Sequence, residues 1–245
     1  MDSGVGGLSV FKEIRKVLPL ESYIYFSDSA FCPYGEKSPE FICERAEIIA
    51  RMMLGKGAEI IVVACNTATA AAIEHLRKTF PSTPFVGMEP AVKPAALGTK
   101  SGTIGVLATA GTLKASKYLN TKDRFTDGIK VVEHVGKGFV ELVESGKTEG
   151  PEAEKIVSES LQPLLDAGAD TIVLGCTHYP FLLPVMEKVA GGKVRFIDPA
   201  PAVANRVINL LVGAESHEYF SLELDSSGSK ETLERMAAEI ISQPV

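Results

Sequence analysis

The amino-acid sequence predicts an α/β fold of two similar, pseudo-symmetric lobes with mainly parallel sheets flanked by helices, and an active site in the cleft between them. Three observations carry this. Amphipathic stretches alternate with short, nearly continuous apolar runs, the pattern of parallel strands covered on both faces. One eleven-residue segment recurs 111 residues later in the chain. A second segment recurs at the same offset.

The alternation is clearest in two places. Ile42, Ala46, Ile49, Ala50 and Met53 fall at helical spacing, the run breaks at Gly55-Lys56-Gly57, and Glu59 to Ala64 reads as a buried strand. The order returns with Ile156, Val157, Leu161, Leu164 and Leu165, then Gly168, then a strand from Thr171 to Leu174. Pro163 lies inside the second helical pattern and predicts a kink in its last turns.

The repeat is specific. Gly57 to Thr67 (GAEIIVVACNT) aligns with Gly168 to His178 (GADTIVLGCTH) at five identities in eleven, and Phe85 to Val92 (FVGMEPAV) aligns with Phe196 to Val203 (FIDPAPAV) at four in eight. Two matches at one offset predict a duplication: a first lobe of residues 1–94 plus 206–245 carrying Cys65, and a second of 95–205 carrying Cys176. Each cysteine sits at the carboxyl end of a strand, where open α/β sheets bind ligands. A free cysteine taken alone is most often a core residue. The pair argues otherwise, because each ends an apolar strand and is followed by polar residues, Asn66-Thr67 or Thr177-His178.

Composition narrows the classes. The chain has 245 residues, 45% of them hydrophobic, and a net charge of −6. The pI is about 5.4 and mean hydropathy is +0.14. Basic residues are dispersed among a larger number of acidic ones, so nucleic acid is not expected as a partner. The most apolar stretch, Ile60 to Ile73, is too short to span a bilayer, and no membrane association or export signal is expected. Four cysteines without CxxC or metal-ligand spacing predict neither a disulfide framework nor a metal site, and point to a reduced, cytoplasmic setting.

Asp2-Ser-Gly-Val-Gly-Gly7 leads into a helical pattern formed by Leu8, Phe11, Ile14, Val17 and Leu18. Glycines before a helix expose N–H groups suited to an anion, although an ordinary tight turn reads the same way, and the spacing fits neither a Walker A loop nor GxGxxG. Cys32-Pro-Tyr-Gly35 lies in a loop before a helix beginning near Pro39, where the tyrosine could cover a ligand. Cys43 falls on the apolar side of that helix and reads as core. His75, His134 and His217 lie in no motif. His178, two residues after Cys176, is the exception.

With these motifs in view, the chain resembles the glutamate racemases of the aspartate/glutamate racemase superfamily. The resemblance rests on DSGVGGLSV from Asp2, PYGEKS from Pro33, ACNTA from Ala64, IGVLATAGTLKASKY from Ile104 and GCTHYP from Gly175, which cover nearly the whole chain in order. It implies that Cys65 and Cys176 donate and accept the α-proton, with His178 and Asp2 assisting. It also implies that Asp2, Ser3, Tyr34, Gly35, Asn66, Thr67, Thr177 and His178 hold the substrate, glutamate. Glu144 is placed near the site and Thr109 against a substrate carboxylate. A homodimer is implied, as is a product, D-glutamate, used in peptidoglycan. Two departures stand out. Asp2 follows Met1 directly where the resemblance would put an apolar strand, which reads as a truncated or misplaced start. Val135-Gly-Lys-Gly138 replaces an expected cysteine-proline stretch ahead of Glu144.

The chemistry agrees with the resemblance. Racemisation removes a proton from one face of Cα and returns one to the other, which two flanking bases do without crossing the plane of the intermediate. No lysine lies in a recognisable pyridoxal-phosphate context, so no cofactor is expected. Donors from Ser3, Asn66, Thr67, Thr177 and nearby backbone would then stabilise the carbanion in a dry site. His178 is assigned to Cys176 and Asp2 to Cys65 as proton acceptors and orienters. An aspartate or other acidic amino-acid racemase, a non-catalytic amino-acid-binding protein and a thiol-redox protein remain the alternatives.

Overall fold

The computed structural model describes residues 1–211 and 219–243, so His217 lies outside the described residues. The chain divides into two compact units, Met1–Met88 with Ala200–Val245, and Glu89–Pro199. The first unit opens with α1 (Leu8–Val17), β1 (Ser22–Ser27), α2 (Pro39–Gly55), β2 (Ile61–Val63), α3 (Asn66–Thr79) and β3 (Phe85–Gly87). The second unit runs through α4 (Val92–Gly98), β4 (Thr103–Ala108), α5 (Ala110–Lys114), α6 (Ser116–Phe125) and β5 (Lys130–Val135). It continues with α7 (Phe139–Glu144), α8 (Pro151–Asp166), β6 (Thr171–Gly175), α9 (Leu183–Ala190) and β7 (Arg195–Ile197). The chain then returns to the first unit as α10 (Ala200–Leu211), β8 (Ser221–Ser226) and α11 (Glu231–Ser242).

The fold is α/β, and every ladder is parallel. In the second unit one sheet has the order β5-β4-β6-β7. Its central strands β4 and β6 are buried along their whole length, which is why they read as unbroken apolar runs. α8 continues through Pro163 to Asp166. Among the described residues, no helix is long and apolar enough to cross a membrane.

The first unit has two separate ladders, β1 with β8 and β2 with β3. α2 starts where Ser38 accepts from the Phe41 N–H, with Pro39 in the first turn. The five residues of its predicted apolar stripe, Ile42, Ala46, Ile49, Ala50 and Met53, are all buried, and they pack with residues of β2 and α3. Met1 and Asp2 join one ladder to the other. The Met1 nitrogen donates to the Val62 carbonyl at 2.8 Å, and the Ala64 N–H donates to the Met1 carbonyl at 2.9 Å. On the other side the Asp2 N–H donates to Phe26 and the Asp28 N–H to the Asp2 carbonyl, both at 3.0 Å. Beyond this link β1 and β2 part, and a cavity of about 560 Å³ opens, lined by Val10, Phe11, Tyr23, Tyr25, Val62 and Val207 among others.

The internal repeat extends to strand register. Ile61 pairs with Phe85 in the first unit, and Ile172 pairs with Phe196 in the second; each residue of the second pair lies 111 positions after its counterpart.

Candidate active site

In the first unit, Cys65 follows β2 as the N-cap of α3. Its Sγ accepts from the Ala68 N–H at 3.4 Å and lies 3.6 Å from the Ser3 hydroxyl. A helix N-terminus is a positive end, so this position favours a thiolate. Asn66 and Thr67 begin the same helix and are buried. Asn66 is only 3% exposed, yet among the described residues neither polar atom of its side chain has a hydrogen-bond partner. Natural proteins seldom leave a buried amide in that state, so the side chain is suited to a partner from outside the chain, such as water, an ion or a ligand.

Asp2 and Ser3 come to this place through the glycine turn. The Asp2 carboxylate accepts from the Gly4 N–H at 2.9 Å, and Tyr25 ties the turn down by donating to the Gly4 carbonyl at 2.8 Å. Gly7 is required by close approach. A Cβ there would lie 2.7 Å from the Asp2 Cβ and 2.8 Å from the Tyr25 hydroxyl. Burial pushes the Met1 amino group down to about 6, while the negative charges of Asp2 and Cys65 pull the other way. Sequence reasoning paired Asp2 with Cys65; the Ser3 hydroxyl, next along the chain, lies 3.6 Å from the Cys65 sulfur.

Tyr34 and Gly35 sit in a short 3-10 turn, Tyr34–Glu36, after a cis Cys32–Pro33 bond. The Tyr34 ring is buried and its hydroxyl donates to Asp28. The tyrosine hydroxyl therefore anchors the loop, and the neighbouring Gly35 remains partly exposed. Cys43 is half-buried against the α2–α3 core and donates to the Ala71 carbonyl. His75 is exposed and pairs with Glu47 at 2.6 Å.

In the second unit, Cys176 follows β6. Its Sγ lies 3.7 Å from His178 Nδ1, and the Thr177 hydroxyl is 3.5 Å from the same nitrogen. The other ring nitrogen, Nε2, lies 2.6 Å from Glu144 Oε1 at the end of α7. His178 is 1% exposed. An ionised carboxylate can only accept, so Nε2 carries the hydrogen; in the neutral form of the ring Nδ1 then presents its lone pair to the thiol. Thr109, after β4, caps α5 by accepting from the Thr112 N–H at 3.2 Å. β4 and β6 are paired, with Ala108 opposite Gly175, so Thr109 and Cys176 leave adjacent strands at the same level. His134, on β5, is partly buried, and burial with nearby Lys137 lowers its pKa.

Two contributors were obscure in the sequence. Glu144 stood behind an unfamiliar stretch, and Asp28 with Arg45 carried no motif. Both depend on contacts distant along the chain. The only local hint was the polar Ser27-Asp28-Ser29 ahead of the loop.

Comparison with known proteins places the chain among racemases. A glutamate racemase of Stutzerimonas stutzeri (strain A1501) is 50% identical over 216 residues, covering 88% of this chain and 81% of the relative. One of Roseiflexus sp. (strain RS-1) is 48% identical over 210 residues, covering 86% and 77%. The crystal structure of Escherichia coli glutamate racemase in complex with L-glutamate and the activator UDP-MurNAc-ala matches with a TM-score of 0.88 and 36% identity, covering 98% of this chain and 92% of that one. A glutamate racemase isoform of Bacillus anthracis gives 0.85 at 31% identity, covering 100% and 93%. The family model for Asp/Glu/Hydantoin racemases matches residues 7–207. With that span matched and half of the 216 aligned residues identical in a relative covered over most of both chains, the chain belongs to the Asp/Glu/Hydantoin racemase family.

Proposed function

We propose that the protein interconverts L- and D-glutamate by two-base proton transfer at Cα, with Cys65 and Cys176 as the two bases. The observation that carries the reading is the contact of Cys176 with a His178 ring oriented by Glu144. Glutamate as substrate is supported by the glutamate racemases that are about half identical to this chain.

In each turnover one cysteine begins as thiolate and the other as thiol. The thiolate takes the α-proton, leaving the electron pair on the substrate as a carbanion. The opposing thiol then delivers its proton to the other face and becomes the thiolate. Proton count is conserved, and the enzyme ends in the mirrored protonation state. On the Cys176 side, His178 Nδ1 accepts the thiol proton, and Glu144 stabilises the imidazolium that results. On the Cys65 side, the Ala68 N–H and the α3 N-terminus favour the thiolate, and Ser3 lies beside it. Asn66 offers its unpaired amide, with Asp2, Thr67, Thr177 and the Tyr34-Gly35 loop, to the substrate's charged groups. Such donors act strongly where water is excluded. The D-glutamate formed would serve peptidoglycan synthesis in the cytoplasm, and family resemblance supports a homodimer.

Turnover in deuterium oxide from each enantiomer tests the mechanism. Two monoprotic bases put deuterium first into product while unreacted substrate stays protiated; early washout into substrate overturns the two-base reading. Cys65→Ala and Cys176→Ala should each abolish racemisation and retain glutamate binding. Side-by-side kinetics on L-glutamate and L-aspartate test the substrate.

A further inference from the structure

Asp28 is 0% exposed and is the meeting point of several donors. Arg45, on α2, grips it with two prongs, Nε to Oδ2 at 2.9 Å and Nη2 to Oδ1 at 2.7 Å. The Tyr34 hydroxyl donates to Oδ2 as well. Burial alone would push this carboxyl up. Hydrogen bonds from Arg45, Tyr34 and Ser227 outweigh burial and hold it below the usual carboxylate range. The Arg45 guanidinium also lies 4.3 Å from the centroid of the Phe31 ring. One side chain thus holds the segment from Asp28 to Tyr34 at its start, its middle and, through Asp28, its end. The turn after β8 holds the same segment from a second side. Ser226 pairs with Ser29 at 2.7 Å, the Ala30 N–H donates to Ser227, and a Cβ at Gly228 would fall 2.6 Å from the Ser29 hydroxyl.

We propose that Arg45 is a positioning residue for substrate binding: acting through Asp28 and the Tyr34 hydroxyl, it fixes the loop that presents Gly35 to the amino-acid substrate. The inference rests on the reading above in which Tyr34-Gly35 contacts substrate. Lysine does not replace Arg45, because a point-like ammonium cannot reproduce a fork that engages both carboxylate oxygens and stacks on a ring.

The test combines kinetics with amide hydrogen exchange of residues 28–36. Arg45→Ala should raise KM for L-glutamate about tenfold and change kcat by less than about threefold, the signature of lost binding rather than lost chemistry. Exchange in the loop should accelerate. Tyr34→Phe, which cuts the far end of the link and leaves the Arg45–Asp28 pair intact, should reproduce the KM rise. Arg45→Lys should recover only part of the affinity. Guanidinium at low millimolar concentration should restore KM in Arg45→Ala and leave Tyr34→Phe unchanged. An unaltered KM in Arg45→Ala, or a fall in melting temperature with KM unaltered, overturns the proposal. If loop exchange accelerates in Arg45→Ala but the wild-type protein does not racemise glutamate, the substrate assignment fails while the loop clamp stands.

Discussion

Glu144 and His178 meet at 2.6 Å through Oε1 and Nε2, although 34 residues separate them. The contact turns the opposite ring nitrogen toward Cys176, so the carboxylate sets the tautomer of a base it does not share with the substrate. Glu144→Gln keeps the shape and can donate to Nε2, which favours the tautomer with its hydrogen on Nδ1, the wrong one for receiving a thiol proton. We expect kcat to fall about 100-fold with little change in KM, in line with the loss of one acid–base contribution. Steady-state kinetics across pH check this, and an unchanged kcat would remove Glu144 from the relay.

Asn66 presents the opposite balance, because its buried amide has no protein partner among the described residues. Removing it relieves a desolvation penalty in the empty protein and deprives the substrate of a donor. Asn66→Ala should lower kcat/KM about 10- to 100-fold, as expected for a lost hydrogen bond to a charged group. Its melting temperature should hold or rise. Calorimetry with and without glutamate separates the two effects, and a marked fall in stability of the free protein would show that the amide is structural.

Acid stability follows from Asp28. Its folded-state pKa lies below the unfolded value, so the folded chain binds fewer protons in that interval. The stabilisation is present above the ordinary carboxylate pKa and is lost as pH falls through the folded value. Arg45→Ala removes the largest favourable contact and leaves the buried charge to Tyr34 and Ser227 without a cation, a loss of about 3 kcal/mol at neutral pH. The midpoint of acid unfolding, followed by circular dichroism, should move to higher pH.

Gly7→Ala should be costly despite its size. The added methyl meets the Asp2 Cβ, the Tyr25 hydroxyl and, at 3.1 Å, the Ala64 Cβ, none of which is the far end of a flexible chain except the tyrosine. Overpacking of this kind costs about 1–3 kcal/mol. Because the displaced atoms belong to the turn carrying Asp2 and Ser3, activity should fall further than stability does. Urea denaturation alongside kinetics measures both.

The parts of the fold that were legible in the sequence are those set by local periodicity. The stripe on α2, the strand ahead of Cys65 and the buried run of β6 each follow from residues a few positions apart. The repeat was legible as two aligned segment pairs, and the structure carries it into strand register, with Ile61 opposite Phe85 and Ile172 opposite Phe196. β1 and β8 were not foreseen: they pair Ser22 with Ser221 across almost the whole chain, and β8, with its alternating Leu222 and Leu224, has no continuous apolar run. At the site, Cys65, Asn66, Cys176 and His178 were visible because strand ends and polar neighbours mark them. The Arg45–Asp28 fork was not, since a helix and a loop must fold before the two charges become neighbours.

The hollow between β1 and β2 gives the first unit a seam. Backbone edges that face a gap are open to any extended chain of suitable shape, and sheet proteins ordinarily shield such edges. The short link formed by Met1 and Asp2 bounds this seam and leads straight into the turn bearing Ser3. Ser3, the neighbour of the Cys65 thiol, is thereby held to both strands by the hydrogen bonds of two consecutive residues.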